Sequence, residues 1–262
     1  MMRAMWSAAA GMNVQTMNMD AISNNLANIN TAGFKSGRAE FQDLLYQTIN
    51  TAGTSTSTTT TQPTSLQLGH GARLSAMVRD FSTGSLQQTT SKYDMAIQGD
   101  GFFRVLQTDG TFAYTRDGSF STDQNGNLVN SSGNTLDPQI TIPQDATSIT
   151  VASDGTVTVT QQGQTTPQQV GQITLSTFIN PNGLTAIGHN LMQPTLASGD
   201  PIDGVPGQTG LGTIQQSSLE GSNVDMASEM VNMIVGQRAY EANSKTIQTC
   251  DSMLQLVSNL KR

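Results

Sequence analysis

The residues to test first for chemistry are the two histidines and the one cysteine. His70 sits in Gly69-His70-Gly71 and His189 in Gly188-His189-Asn190, both turn settings. Neither has a Cys or a second His at metal-ligand spacing, so no metal site is expected. Cys250 is the single cysteine, which excludes a disulfide framework and reads as a small apolar residue on a helix. Gly99-Asp100-Gly101 lacks the third glycine and the following helix of a nucleotide fingerprint. Asp123-Gln124-Asn125-Gly126-Asn127 has the look of a calcium loop, but the acid needed at its twelfth position is Asn134, so a hairpin turn is expected. Serines abound without a base and an orienting acid around any of them. No pair of acids suggests glycoside cleavage. These residue types predict no catalytic residue, no cofactor and no enzyme.

Composition narrows the choice further. The chain has 262 residues, of which 12% are charged and 35% apolar, and its net charge is −7. Residues 1–50 carry three basic and three acidic side chains, and residues 221–262 carry four of each. All the excess acid therefore lies in the middle, which disfavours nucleic acid as a partner. Neutral ends pack against copies of themselves without long-range repulsion. No apolar run approaches the ~18 residues that spanning a bilayer needs. The first residues lack the sustained apolar stretch of a secretory signal, which predicts the cytoplasm or a route without a cleavable leader.

Two elements must position whatever these residues do. Residues 1 to about 32 are predicted to be helical. Met5, Met12, Met19 and Leu26 recur every seven residues, and Ala8, Ile22 and Ile29 form a second row broken by Gln15. Gly33 supplies the stop. A second helix is predicted from about 224 to 260, capped by Ser222-Asn223 and about 55 Å long at ~1.5 Å per residue. Met226, Met233, Tyr240, Ile247 and Leu254 hold one heptad position, with Met230, Cys250 and Val257 widening the stripe. The methionines suit adaptable packing rather than a metal or cofactor. Gly236 costs about 1 kcal/mol there relative to alanine and either permits close helix approach or is merely tolerated. The Asn24-Asn25 pair is expected to satisfy backbone groups between packed helices.

Between the helices the pattern changes. Eleven of the fifteen residues in 51–65 are Ser or Thr, the composition of a linker. From about 67 to 220 short strands alternate with turns at Asp109-Gly110, Asp117-Gly118, Asn125-Gly126 and Asp154-Gly155. Thr156 to Thr160 alternates cleanly, and Val170 to Ile179 is predicted as the longest strand. The expected fold is α+β: terminal helices forming a coiled-coil-like pair and a central antiparallel β-rich domain, as a small sandwich or barrel. The segments are 1–34, the amino-terminal helix; 35–70, an extended linker; 71–220, the β-rich body; and 221–262, the carboxy-terminal helix. Two amphipathic tails expose apolar surface and so seek partners.

The run from Ile22 through Ser23-Asn24-Asn25-Leu26-Ala27-Asn28 to Thr31-Ala32-Gly33-Phe34-Lys35 closely resembles the signature of bacterial flagellar rod and hook proteins. Asp94 to Phe103 and Tyr114 to Phe120 are similar to that family's entry into its β domain. Val231 to Ile234 and Gln237 to Lys245 resemble its carboxy-terminal helix. The segment from Glu40 to Ile49 resembles the distal rod subunits, and the extra outer domain of the longer hook subunits is missing. Residues 47–66, with Tyr46, Gln47, Thr48, Ile49 and Pro63, sit where the rod-specific segment belongs. Phe41 and Leu45 fit the weak export pattern of rod and hook substrates.

The resemblance implies a self-assembling helical homopolymer, a hollow rigid shaft carrying torque across the periplasm in the flagellar basal body. Its partners would be further copies, proximal rod proteins, the hook protein, the P-ring and L-ring proteins and the flagellar type III export apparatus. The paired helices would form the inner tube, with residues 47–66 ordering on assembly. A proximal rod or hook subunit, and a secreted adhesin-like fibre, stay open as alternatives.

Overall fold

The computed structural model describes residues 2–52, 63–161, 166–208 and 210–259. The chain forms two compact units. The first comprises Met1–Leu26, Gly37–Val78 and Asp225–Arg262, and the second Ala27–Ser36 and Arg79–Val224. A helix at each end and an antiparallel β-rich middle match the α+β expectation.

In the first unit, α1 spans Met2–Ala27 and α2 spans Met226–Asn259. The 34 residues of α2 give a rod about 50 Å long. Two boundaries differ from the periodicity. The amino-terminal helix stops at Ala27 rather than near 32, because Asn28 turns the chain: its carbonyl accepts from Thr31 N at 3.1 Å and its side-chain oxygen from the Thr31 hydroxyl at 3.2 Å. Ile29 is therefore past the helix and off the heptad row. At the other helix the cap is Asp225, whose carboxylate accepts from the Ala227 and Ser228 N–H groups, both at 3.3 Å, and from the Ser228 hydroxyl at 2.5 Å. Asn223 is not available to cap: its side-chain oxygen accepts from Ser36 N at 2.8 Å and its amide donates to the Asp80 carbonyl at 2.8 Å.

Two short ladders complete the first unit. Gly37–Asp43 pairs with Ala72–Arg79, and Gln47–Asn50 pairs antiparallel with Leu66–Leu68. The Thr-rich run thus lies between the arms of a hairpin, and its residues 53–62 are outside the described residues.

The second unit holds the principal core. A nine-stranded sheet runs in the order Thr185–Gly188, Leu191–Gln193, Phe112–Thr115, Phe102–Leu106, Thr135–Asp137, Leu128–Asn130 and Phe120–Thr122. It branches at Phe102–Leu106, where Leu175–Thr177 shares an edge with Thr135–Asp137 and itself pairs with Ile202–Gly204. A meander of Ala146–Val151, Thr156–Gln161 and Gln168–Gln172 packs on the same core. Two further ladders join Thr213–Gln216 to Met95–Gln98 and Ser218–Glu220 to Leu86–Gln88.

The alternation over Thr156 to Thr160 points Val157 and Val159 inward. The single strand expected over Val170 to Ile179 is two strands in different sheets, with buried Ile173 at the change of sheet. Asp117-Gly118 is not a hairpin turn, since the strands on either side pair elsewhere. A Cβ at Gly118 would lie 1.5 Å from the Met95 carbonyl oxygen, so close backbone approach requires glycine there.

Candidate functional site

The candidate site of the first unit is the helix pair. Asn25 Nδ2 donates to Glu229 Oε1 at 3.0 Å. A Cβ at Gly236 would lie 3.3 Å from Met19, and one at Gly11 would lie 2.8 Å from the Asn243 amide nitrogen. As the contacts climb α2 they descend α1, so the helices run antiparallel. On α2 the faces at Glu229, Gly236, Asn243 and Cys250 are half-buried or buried, alongside half-buried Met233, Ile247 and Leu254. Met230, expected to widen the seam, is instead more than half exposed, because Glu229 holds the place next to Asn25. The Val257 side chain lies outside the described residues.

On α1 the heptad residues Met5, Met12, Met19 and Leu26 are half-buried, while Ala8, Val14, Ala21, Ile22 and Asn25 are buried. Asn25 is also bound to the start of a strand: its oxygen accepts from Gly37 N at 2.8 Å and its amide donates to Gly37 O at 2.9 Å. Asn24 faces solvent. Much of the helix hydroxyl surface is satisfied locally, as Thr16 donates to the Met12 carbonyl, Thr246 to Ala242 and Ser252 to Gln248. Such hydroxyls are buried by a partner without losing their bonds.

Large apolar side chains remain uncovered on the same unit. Met226, Met230, Val231, Ile234 and Val235 of α2 are each at least half exposed, Tyr240 is 40% exposed, and Trp6 of α1 is mostly exposed. The hairpin region adds Phe41, Leu45, Tyr46, Ile49, Leu66 and Leu68, with Gln47, Thr48 and Pro63 also exposed. Tyr46 lies over Gly69, and its hydroxyl bond to Asp43 raises its pKa.

The second unit contains a site that sequence reasoning missed. Lys35 Nζ lies 2.6 Å from Glu220 Oε1, and Arg116 Nη1 lies 3.2 Å from Glu220 Oε2, with all three side chains almost wholly excluded from solvent. Lys35 also donates to the Ser82 carbonyl at 2.6 Å, and Gly84 N donates to Glu220 Oε1 at 2.9 Å. The Arg116 guanidinium lies 5.4 Å from the Phe102 ring centroid. Burial pushes the Lys35 ammonium pKa down, and Arg116 adds to this. The hydrogen bond and charge of Glu220, with the charge of Asp80, oppose it. Gly33, at φ +68°, donates its N–H to the Glu220 carbonyl at 2.8 Å, and a Cβ there would lie 2.6 Å from the Arg116 backbone. The Gly33-Phe34-Lys35 part of the signature is thus the turn that delivers a lysine to a buried carboxylate. Part of the signal was available: Lys35 and Arg116 lie in two separate motifs of a chain poor in charge. What it lacked was the pairing.

The arrangement offers packing surfaces and a fixed buried ion cluster. Among the described residues no three His, Cys, Asp or Glu side chains group to hold a metal ion, and no helix is long and apolar enough to cross a membrane.

Comparison with known proteins finds a match at each end of the chain and one in the β body. Residues 5–35 match the flagella basal body rod protein family, residues 96–159 the flagellar hook protein FlgE/F/G D1 domain, and residues 215–260 the flagellar basal body rod FlgEFG protein C-terminal family. The chain is 52% identical to the flagellar basal-body rod protein FlgG of Borreliella burgdorferi over the full length of both. It is 49% identical to that of Caulobacter vibrioides, with 99% of this chain and all of the relative covered. The flagellar hook protein FlgE of Helicobacter mustelae is 41% identical over only 51% of this chain and 30% of its own length. Full-length identity of this order, reached across helices and β body alike, makes the chain a member of the FlgG family of flagellar basal-body rod proteins.

Proposed function

We propose that the protein is a structural subunit of the flagellar distal rod that assembles with further copies into a hollow, rigid shaft. The observation that carries this reading is the uncovered apolar face of α2, Met226, Met230, Val231, Ile234 and Val235, in a chain whose β body already closes its own core. Burying that face is favourable by about 25 cal/mol per Å² of apolar surface. In this reading 1–34 and 221–262 build the inner wall, 35–70 is the rod-specific segment, and 71–220 faces outward. The exposed hairpin residues Leu45, Tyr46, Ile49, Leu66 and Leu68 meet neighbouring subunits on assembly. The partners are further copies, proximal rod and hook proteins, the P-ring and L-ring proteins and the type III export apparatus. Phe41 and Leu45 serve as the export pattern. The protein performs no catalysis.

Electron microscopy of basal bodies from a strain deleted for the gene tests the assignment. The rod should stop short of its distal part and be restored by the wild-type gene. A complete rod lacking only the hook would assign the chain elsewhere. In the same strain Ile234→Asp should fail to restore the rod, while the purified variant keeps a folded β body.

A further inference from the structure

The helix seam contains two rows with different chemistry. On α2 the first is apolar throughout: half-buried Met233, Ile247 and Leu254 lie in the seam, while Met226 and Tyr240 at the same heptad position stand largely exposed at its edge. The second, three residues on, is Glu229, Gly236, Asn243 and Cys250. Sliding α2 by one heptad against α1 exchanges one apolar residue for another in the first row. Flexible methionines make that exchange cheap. The second row does not tolerate it. Moved by seven residues one way, Glu229 faces the Met19 level of α1. Moved the other way, Gly236 faces Asn25 and leaves its amide proton without an acceptor.

We infer that the axial register of α1 on α2 is set by this polar and glycine row, with Asn25 as the key, and not by the methionine seam. Asn25 is 3% exposed. Its two bonds to Gly37, accepting at 2.8 Å and donating at 2.9 Å, fix which way the amide faces. Turned over, it would set its NH2 group against the Gly37 N–H. The fixed amide then has one further proton to give, and Glu229 receives it at 3.0 Å. Two steps of seven residues along α2, to Gly236 and Asn243, meet Met19 and Gly11 of α1 through a side chain seated against a glycine. In the native register a side chain at Gly11 would force the Asn243 amide to shift, and one at Gly236 would crowd Met19. The row thus combines one directional polar bond with two steric keys, as a buried polar residue specifies register in a helical bundle.

The consequence for the shaft rests on the rod reading above. A wall of helix pairs that cannot slip by a heptad keeps each subunit at one length. It then passes torque without axial creep.

Thiol cross-linking in the full chain reads the register directly, whether or not rods form. With Cys250→Ala as background, Gln15→Cys with Gln237→Cys reports the native register, since Gln15 lies at the Gly236 level, and Gln15→Cys with Ser244→Cys reports a one-heptad slip, with every residue of the register row left in place. Both are treated with the same short bifunctional thiol reagent in dilute protein, and intrachain products are counted by mass. The native product should exceed the slipped one at least tenfold. Adding Glu229→Leu or Asn25→Asp should reduce that ratio by about tenfold or more, as expected for a charge-assisted hydrogen bond. Glu229→Gln, which still accepts from Asn25, should hold the ratio within about threefold. A ratio unmoved by Glu229→Leu and Asn25→Asp, comparable products in the parent, or neither product in the parent would each overturn the inference. Light scattering of the same variants follows assembly separately. Loss of register with retained assembly leaves the rod reading standing, and loss of assembly with retained register counts against that reading alone.

Discussion

In the second unit Met95, Ile97, Phe103, Val105 and Val157 are at most 1% exposed, whereas in the first Met226, Met230, Val231, Ile234 and Val235 are all at least 50% exposed. The two regions use similar apolar residues and reach opposite outcomes. The β body draws strands from three sheets around one core, with Phe103 and Phe120 meeting edge-on at 5.3 Å between ring centroids. A pair of long helices has one facing surface each, and here part of that surface is given to Glu229, Gly236 and Asn243. Packing then fixes geometry in the helices more than it supplies stability, and it leaves apolar surface open for the proposed assembly to bury. Most helical stability in proteins comes from packing a helix face, so helices that leave such a face uncovered should respond to assembly.

The largest expected effect separates the regions outright. Phe103→Ala should destabilise the β body by about 4 kcal/mol, read from the urea midpoint of its β signal, and leave helix cross-linking unchanged. Equal loss in both regions would mean that they unfold as one cooperative block. The charge cluster comes next. Glu220→Gln leaves two buried cations without a counter-charge and should cost about 3 kcal/mol. Lys35→Met leaves Arg116 and Glu220 balanced and should cost clearly less. If Lys35→Met proves the worse of the two, the lysine is held by its Ser82 contact and not by charge.

Much of this contrast was legible in the sequence. Heptad rows located both helices, and the alternation at Val157 and Val159 located a core strand. Helix ends were less legible, since Asn28, Asn223 and Asp225 are all competent to turn or cap. Which one does so depends on tertiary partners such as Ser36 and Asp80. The change of sheet near Ile173 was invisible because Val170, Ile173, Leu175 and Ile179 read as one run, with no proline or tight-turn pair between them to mark a break. Lys35, Arg116 and Glu220 lie in separate stretches of chain, and nothing local pairs them. Asn25 stood out as polar in a helix, but its bonds to Gly37 and Glu229 required the fold.

Smaller effects sharpen the helix side. Gly236→Ala should favour an isolated α2 peptide by up to about 1 kcal/mol through helix propensity. In the full chain the new methyl meets Met19, so the gain should shrink or reverse. An undiminished gain would show that the helices do not pack at Gly236.

The smallest effect is pH-dependent. The Ser228 hydroxyl, then the Ser228 and Ala227 N–H groups, hold the Asp225 carboxyl below the ordinary carboxylate range. A carboxylate with a depressed folded pKa contributes its stability above the unfolded pKa. That contribution is lost as pH falls through the lower folded value. Protection of the amides at 226–229, taken relative to their intrinsic exchange rates, should therefore fall below about pH 4, and Asp225→Asn should remove that dependence.

Amide hydrogen exchange on the full-length protein, dilute and then assembled, tests the central contrast most directly. In dilute protein the strands around Ile97, Phe103 and Val157 should exchange slowly, by global unfolding alone. The amides of α1 and α2 should exchange at least a hundredfold faster, then slow to match the body once copies assemble. Helices protected as strongly as the β body in dilute protein, with no change on assembly, would contradict the account.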